Sequence, residues 1–246
     1  MPLNKTHWIY DSQLLIAISI YCLCGFVFEL TGIHNVYYQI AVSLLCFVSY
    51  KFQLVQKTNT NLLLLFLILA FCSVLIIYSL IDFFTVSQVL FFIPLLLMSL
   101  LYKSHLRTSW ILKTPIIALS WALLIVVPIW DNMLMVLFAV FCFVFSITLP
   151  FDIRDTEQDQ GNIKTIPLVF GTYMSLFLAF VLYVIWALLL NNLGLNLGFN
   201  VMIGVISLIV IGQGYRKRAA FYYYVLLDGL PVVYYLLYLG FKHYLK

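Results

Sequence analysis

Charge is what this sequence has least of. Only 9% of its 246 residues are Asp, Glu, Lys or Arg, against about a quarter in a typical soluble domain. A chain so poor in charge does not cover itself with water, which excludes the ordinary soluble globular class. Cysteine is also scarce. The five thiols, Cys22, Cys24, Cys46, Cys72 and Cys142, all fall inside apolar runs, where cysteine behaves as a small apolar side chain; neither a disulfide framework nor a zinc site is expected. The four histidines, His7, His34, His105 and His243, are scattered near the ends of those runs and suggest no metal site. The N-terminal "MPLNKTHWIYDSQ" lacks the basic region and small-residue cleavage site of a signal peptide. No internal repeat is present.

What fills the chain instead is apolar surface: 65% hydrophobic residues, 17% aromatics and a mean hydropathy of +1.08. A bilayer-crossing helix needs about 20 mostly apolar residues. Apolar runs between polar breaks number nine, roughly 13–32, 35–55, 61–81, 86–102, 111–130, 133–151, 173–191, 198–215 and 221–241. Lys and Arg are retained on the cytoplasmic side of a membrane. With the N-terminus inside, the even-numbered breaks hold Lys51 and Lys57, then Lys103, Arg107 and Lys113, then Arg154 and Lys164, then Arg216, Lys217 and Arg218. Adding Lys5 accounts for eleven of the thirteen basic residues; Lys242 and Lys246 lie beyond the last run. The net charge of +4 therefore reflects topology and implies no nucleic-acid partner. The expectation is an all-α, polytopic protein, residues 1–246 forming a single transmembrane domain in the bilayer, with its N-terminus cytoplasmic.

Two cytoplasmic breaks are long, 103–112 and 152–172, and long loops in compact proteins are often functional. The second belongs to "FDIRDTEQDQGNIKTIPLVFG", Phe151 to Gly171, which holds four of the nine carboxylates. If the sixth run continues as helix past Pro150, Asp152, Asp155 and Asp159 fall within an arc of about 60° on one face, and Glu157 points elsewhere. Like charges stacked this way oppose the helix unless a cation sits among them. Hard divalent cations such as Mg²⁺ take carboxylate oxygens and often complete their shell with substrate phosphates. The plainer reading is a solvated helix extension whose acids keep its end in water. Gly161, Pro167 and Gly171 after the acids point to a shaped loop. Asp82 and Asp131 read as lone loop acids.

The run Asp152-Ile-Arg-Asp155-Thr-Glu157-Gln-Asp159, followed by Gly161, Lys164-Thr165, Pro167 and Gly171, resembles the second aspartate-rich motif of the UbiA superfamily of intramembrane prenyltransferases. "YKSHLRTSWILKTPIIALSWAL", Tyr102 to Leu123, is similar to that family's tyrosine-plus-basic loop and the Lys-led helix after it. The resemblance implies nine helices ringing a central cavity that opens to lipid, with a prenyl diphosphate held through Mg²⁺. It implies Asp152, Asp155 and Asp159 as metal ligands and, with Lys164, as the catalytic set. Lys51, Lys57, Lys103, Arg107 and Lys113 become diphosphate-binding candidates, each also readable as a topology anchor. Tyr102 and Asp228 become candidates for contact with a lipophilic acceptor in the cavity.

One departure stands out. The family carries a first aspartate motif between the second and third spans, and here "VSYKFQLVQKTNTN" occupies that place, with no carboxylate between Glu29 and Asp82. Lys51 and Lys57 would then meet the diphosphate directly, or the protein binds an isoprenoid diphosphate without turning it over. Asp228 lies about 12–14 Å into the ninth run, where it reads equally as an acceptor contact or as a structural acid beside the Gly229–Pro231 irregularity. Glu29 is expected to reach the outer interface. The function expected from the resemblance is Mg²⁺-dependent transfer of an isoprenyl group from its diphosphate to an aromatic or other lipophilic acceptor, by a multi-pass protein of the bacterial cytoplasmic membrane.

Overall fold

The computed structural model describes residues 14–54, 62–81, 113–129, 131–159 and 164–244. Among these residues are nine α-helices and no strand. They are α1 (Leu14–Thr31), α2 (Val36–Leu54), α3 (Leu62–Ile81), α4 (Lys113–Val126), α5 (Met133–Asp159), α6 (Ile166–Phe170), α7 (Thr172–Asn192), α8 (Leu197–Gly212) and α9 (Leu230–Tyr244). A 3₁₀ turn, Gln213–Tyr215, follows α8, and a π-helical segment, Tyr222–Leu227, leads towards α9. The short α6 is no span, so the other eight helices overlap eight of the nine predicted runs; the fourth, 86–102, lies outside the described residues.

Among the described residues five stretches are long and apolar enough to cross a bilayer: Leu14–Thr31, Met133–Glu157, Thr172–Asn192, Leu197–Tyr215 and Tyr222–Tyr244. Their outer faces agree. On α7 the exposed residues Tyr173, Phe177, Val181, Val184 and Leu188 recur at helical spacing, an apolar stripe suited to lipid. The protein is an integral membrane protein. Where the helices meet, small residues let backbones approach: Ala118 and Ala122 on α4, Ala139 on α5 and Ala179 on α7 are fully buried.

The helices fall into two compact units, Met1–Phe84 with Tyr224–Lys246, and Thr85–Tyr223. In the first, α1 packs against α2 and α9, and α2 against α3. Phe26 meets Tyr234 and Tyr238 edge-on, with ring centroids 5.5 and 5.3 Å away. Ser43 donates to the Ala17 carbonyl at 2.8 Å, and Ser19 donates to the carbonyl of Asp228. Glu29 does not reach an interface alone: Lys242 Nζ stands 2.6 Å from its Oε2, and the carboxylate side chain is only 19% exposed. Burial near a span end makes a cationic partner the cheaper arrangement. Glu29 and Lys242 lie near the C-terminal ends of α1 and α9, so those two helix ends lie side by side.

In the second unit α5 packs against both α4 and α7, and α7 against α8. Ser146 donates to the Ala179 carbonyl at 2.7 Å and Asn200 to the Ala187 carbonyl at 2.6 Å, while Phe143 lies 5.0 Å from Trp186. The fifth predicted run, 111–130, is helical only over Lys113–Val126 among the described residues; Pro128 has no N–H to continue the ladder, and the residue before it is pushed out of the helical region. Asn132 takes a left-handed backbone, φ 57°, and its carbonyl accepts the N–H of Val136 at 3.0 Å as α5 begins. At 27 residues, α5 is about 40 Å long, against a hydrocarbon thickness of about 30 Å. Its last turns, which carry the acids, therefore have length to stand clear of the hydrocarbon.

Candidate functional site

The helix does continue through Pro150, as the spacing of the acids required. The proline ring rests on Gly214, where a Cβ would come within 2.8 Å of Pro150 Cβ and 3.0 Å of the Tyr222 hydroxyl. That close approach seats the chain after α8 against the end of α5 and brings Lys217 to it. On the other side, α4 begins at Lys113, whose neighbours Thr114 and Pro115 suit a first helical turn. Beyond the acids, α6 and α7 are joined at Gly171, whose φ of 83° and ψ of 164° belong to a region that side chains effectively close. Gly171 also receives the Ser175 hydroxyl on its carbonyl at 2.8 Å.

Each acid of the stretch has a cation beside it. Lys113 Nζ lies 3.2 Å from Asp152 Oδ1 and 3.1 Å from Asp159 Oδ2, with side-chain exposures of 16%, 6% and 14% for Lys113, Asp152 and Asp159. The second Asp152 oxygen, Oδ2, accepts the hydroxyl of the buried Thr114. Asp155 is engaged differently: Arg154 Nε and Nη2 grip its Oδ1 and Oδ2 at 2.7 and 3.1 Å. The same guanidinium lies 5.2 Å from the Phe151 ring centroid and 4.8 Å from that of Tyr223. Glu157, expected to point elsewhere, accepts Lys217 at 2.8 Å on an exposed edge. Its hydrogen bond, and then its charge, hold the Lys217 ammonium above its ordinary pKa. Like-charge repulsion along α5 is thus relieved by cations from three places in the chain.

Of the residues singled out from the sequence, Lys113, Asp152 and Asp159 are brought together, and Asp155 pairs with Arg154. Lys164 is exposed just ahead of α6. Lys51 lies on α2; Lys57, Tyr102, Lys103 and Arg107 lie outside the described residues. Asp228 sits in the first unit at the turn between the π segment and α9. Two residues were given no role from the sequence. Thr114 carries the hydroxyl on Asp152, and its place beside the Lys of a Lys-led helix was the available signal. Thr165, inside the quoted stretch, has a buried hydroxyl oxygen with no hydrogen-bond partner among the described residues.

No protein-family model matches the sequence, and no curated protein matches it. In three dimensions the chain is similar to the apo structure of a UbiA homologue from Aeropyrum pernix K1, with a TM-score of 0.63, covering 91% of this chain and 98% of that one at 13% sequence identity. The fold is UbiA-like. At that identity the likeness is one of fold, and the chemistry of this UbiA-like chain rests on its own residues.

Whether Mg²⁺ suits them is decided by Asp152 and Asp159. Among the described residues no three His, Cys, Asp or Glu side chains gather around one point that could hold a metal ion. Two carboxylates do converge on one cation, the ammonium of Lys113. One or two carboxylates, with waters and substrate phosphates, is the donor set Mg²⁺ commonly takes. The pair fits the ion in chemical type.

Proposed function

We propose that this protein is a nine-span membrane prenyltransferase of the UbiA type, with its N-terminus and its acid-bearing end cytoplasmic. It moves an isoprenyl group from a prenyl diphosphate to an aromatic or other lipophilic acceptor. The observation that carries this reading is the convergence of Asp152, Asp159 and Lys113 at the projecting end of α5 in a UbiA-like fold. The orientation is supported by the basic residues of the even-numbered breaks. It is also supported by the contacts of Lys113 and Lys217 with α5, since both belong to breaks counted as cytoplasmic.

In the reaction the allylic carbon–oxygen bond breaks, its electron pair leaving on the diphosphate. The acceptor then bonds to the allylic carbon and gives up a proton. Asp152 and Asp159 would hold Mg²⁺, which when bound would supply charge neutralisation of the diphosphate. Lys113 and the exposed Lys164 place ammonium groups where charge grows on the leaving group. Thr114 keeps Asp152 aimed. The prenyl tail remains among the apolar helices while its head meets the projecting end of α5.

One sequence observation favours a second reading. With no carboxylate between Glu29 and Asp82, the chain lacks a second acidic cluster on the loop after α2, as a non-catalytic isoprenoid-diphosphate-binding protein would. Incubating the purified protein with Mg²⁺, radiolabelled prenyl diphosphates of several lengths and a membrane lipid extract separates the two. A labelled product or released diphosphate, lost with chelator and with Asp152→Ala, is the outcome for the enzyme. Saturable diphosphate binding with no release under any condition would establish the binding protein instead.

A further inference from the structure

Lys113 stands where a metal ion is needed. Its Nζ is 3.2 Å from Asp152 Oδ1 and 3.1 Å from Asp159 Oδ2, whereas Mg²⁺ sits at about 2.0–2.1 Å from its oxygens. A divalent ion bound to those two oxygens and an ammonium in its present place would repel each other at close range in a partly buried setting. Both cannot hold the pair together. Nor can the pair stand without either, because two carboxylates this buried and this near one another need a cation.

We infer that Lys113 is the resident counter-ion of this pair and couples the two ligands of the site: Asp152 and Asp159 accept a divalent cation as Lys113 leaves them for a diphosphate oxygen. The inference rests on the reading of the site as a diphosphate site. The side chains differ in how free they are to do this. Arg154 is gripped at two points by Asp155 and lies against Phe151 and Tyr223, so it is locked. Lys113 carries a compact charge on a flexible four-carbon stem and makes single contacts. Thr114 holds Asp152 through Oδ2, so departure of Lys113 frees Oδ1 without releasing the carboxylate. Metal and diphosphate then raise one another's affinity by the same factor, as linkage demands. The site is closed to metal alone and opened by the substrate head group.

The test uses Mn²⁺ as the probe metal, read by electron paramagnetic resonance at buffered free Mn²⁺, and tritiated farnesyl diphosphate, read by equilibrium dialysis, on the full-length protein in detergent. Wild-type protein is expected to bind Mn²⁺ weakly alone and roughly 5–150-fold more tightly with farnesyl diphosphate present. Lys113→Met is expected to bind Mn²⁺ alone with the tightness the wild type reaches only with the diphosphate. Its melting temperature should rise on addition of Mn²⁺ alone while that of the wild type stays put. Lys113→Arg should keep the wild-type weakness towards Mn²⁺ alone. If farnesyl diphosphate binds yet leaves wild-type Mn²⁺ affinity unchanged, the coupling is refuted without recourse to any variant. Equal Mn²⁺ affinity in wild type and a folded Lys113→Met protein refutes it too, with the functional reading intact. Absence of binding of farnesyl diphosphate and of shorter and longer prenyl diphosphates at any Mn²⁺ concentration overturns the functional reading and this inference with it.

Discussion

Thr114→Val isolates one hydroxyl at the centre of the site. Thr114 is 2% exposed and Asp152 5%, so water does not replace the lost donor, and valine keeps the shape of the side chain. A hydrogen bond to a charged group contributes about 1.5–3 kcal/mol. The expected loss of stability is of that size, about 3–12 °C in melting temperature for a chain of this length. Because the hydroxyl orients a carboxylate proposed to hold the metal, Mn²⁺ affinity in the presence of farnesyl diphosphate should fall roughly 10–100-fold as well. Thermal unfolding of detergent-solubilised protein, followed by tryptophan fluorescence, measures the first effect. Thr114→Ser, which retains the O–H, should stay near wild type. In a double-mutant cycle with Asp152→Asn the two losses should not add. Equal destabilisation by valine and serine, or full additivity in the cycle, would assign the effect to packing and refute the argument.

Two further outcomes follow from the same contacts. Gly214→Ala places a methyl 2.8 Å from a proline ring that has little freedom to move, and overpacking of this kind costs about 1–3 kcal/mol, read as a lowered melting temperature. Glu157→Gln removes an exposed, screened pair with Lys217 and should leave both the melting temperature and farnesyl diphosphate binding unchanged, with the salt dependence of binding as a sensitive check.

Much of this was legible locally, and the misses have local causes. The apolar runs anticipated eight described helices because a bilayer-crossing segment is written as one continuous stretch of sequence. The fifth run was drawn too long because composition counts Val127 and Ile129 as apolar, while Pro128 ends the hydrogen-bond ladder. The helical wheel put Asp152, Asp155 and Asp159 on one arc. Which cation each would meet was not on the wheel. Asp155 was taken by its chain neighbour Arg154, whose planar fork matches a carboxylate at two points and whose face is held by Phe151 and Tyr223. Thr114 was given no role because its one signal, a place beside the leading Lys of an apolar helix, belongs to no periodic pattern.

The sequence by itself determined a helical protein of the membrane and the clustering of acids beyond the sixth apolar run. These follow from composition, run length and periodicity, which depend only on near neighbours in the chain. Tertiary structure alone decided the partners. Lys113 reaches Asp152 and Asp159 because α4 packs along α5, Lys217 reaches Glu157 because Gly214 lets the chain after α8 lie on Pro150, and Lys242 meets Glu29 because α9 packs on α1. Ion pairs between residues tens to hundreds of positions apart form only once buried helix faces have chosen their neighbours, and no local periodicity encodes that choice.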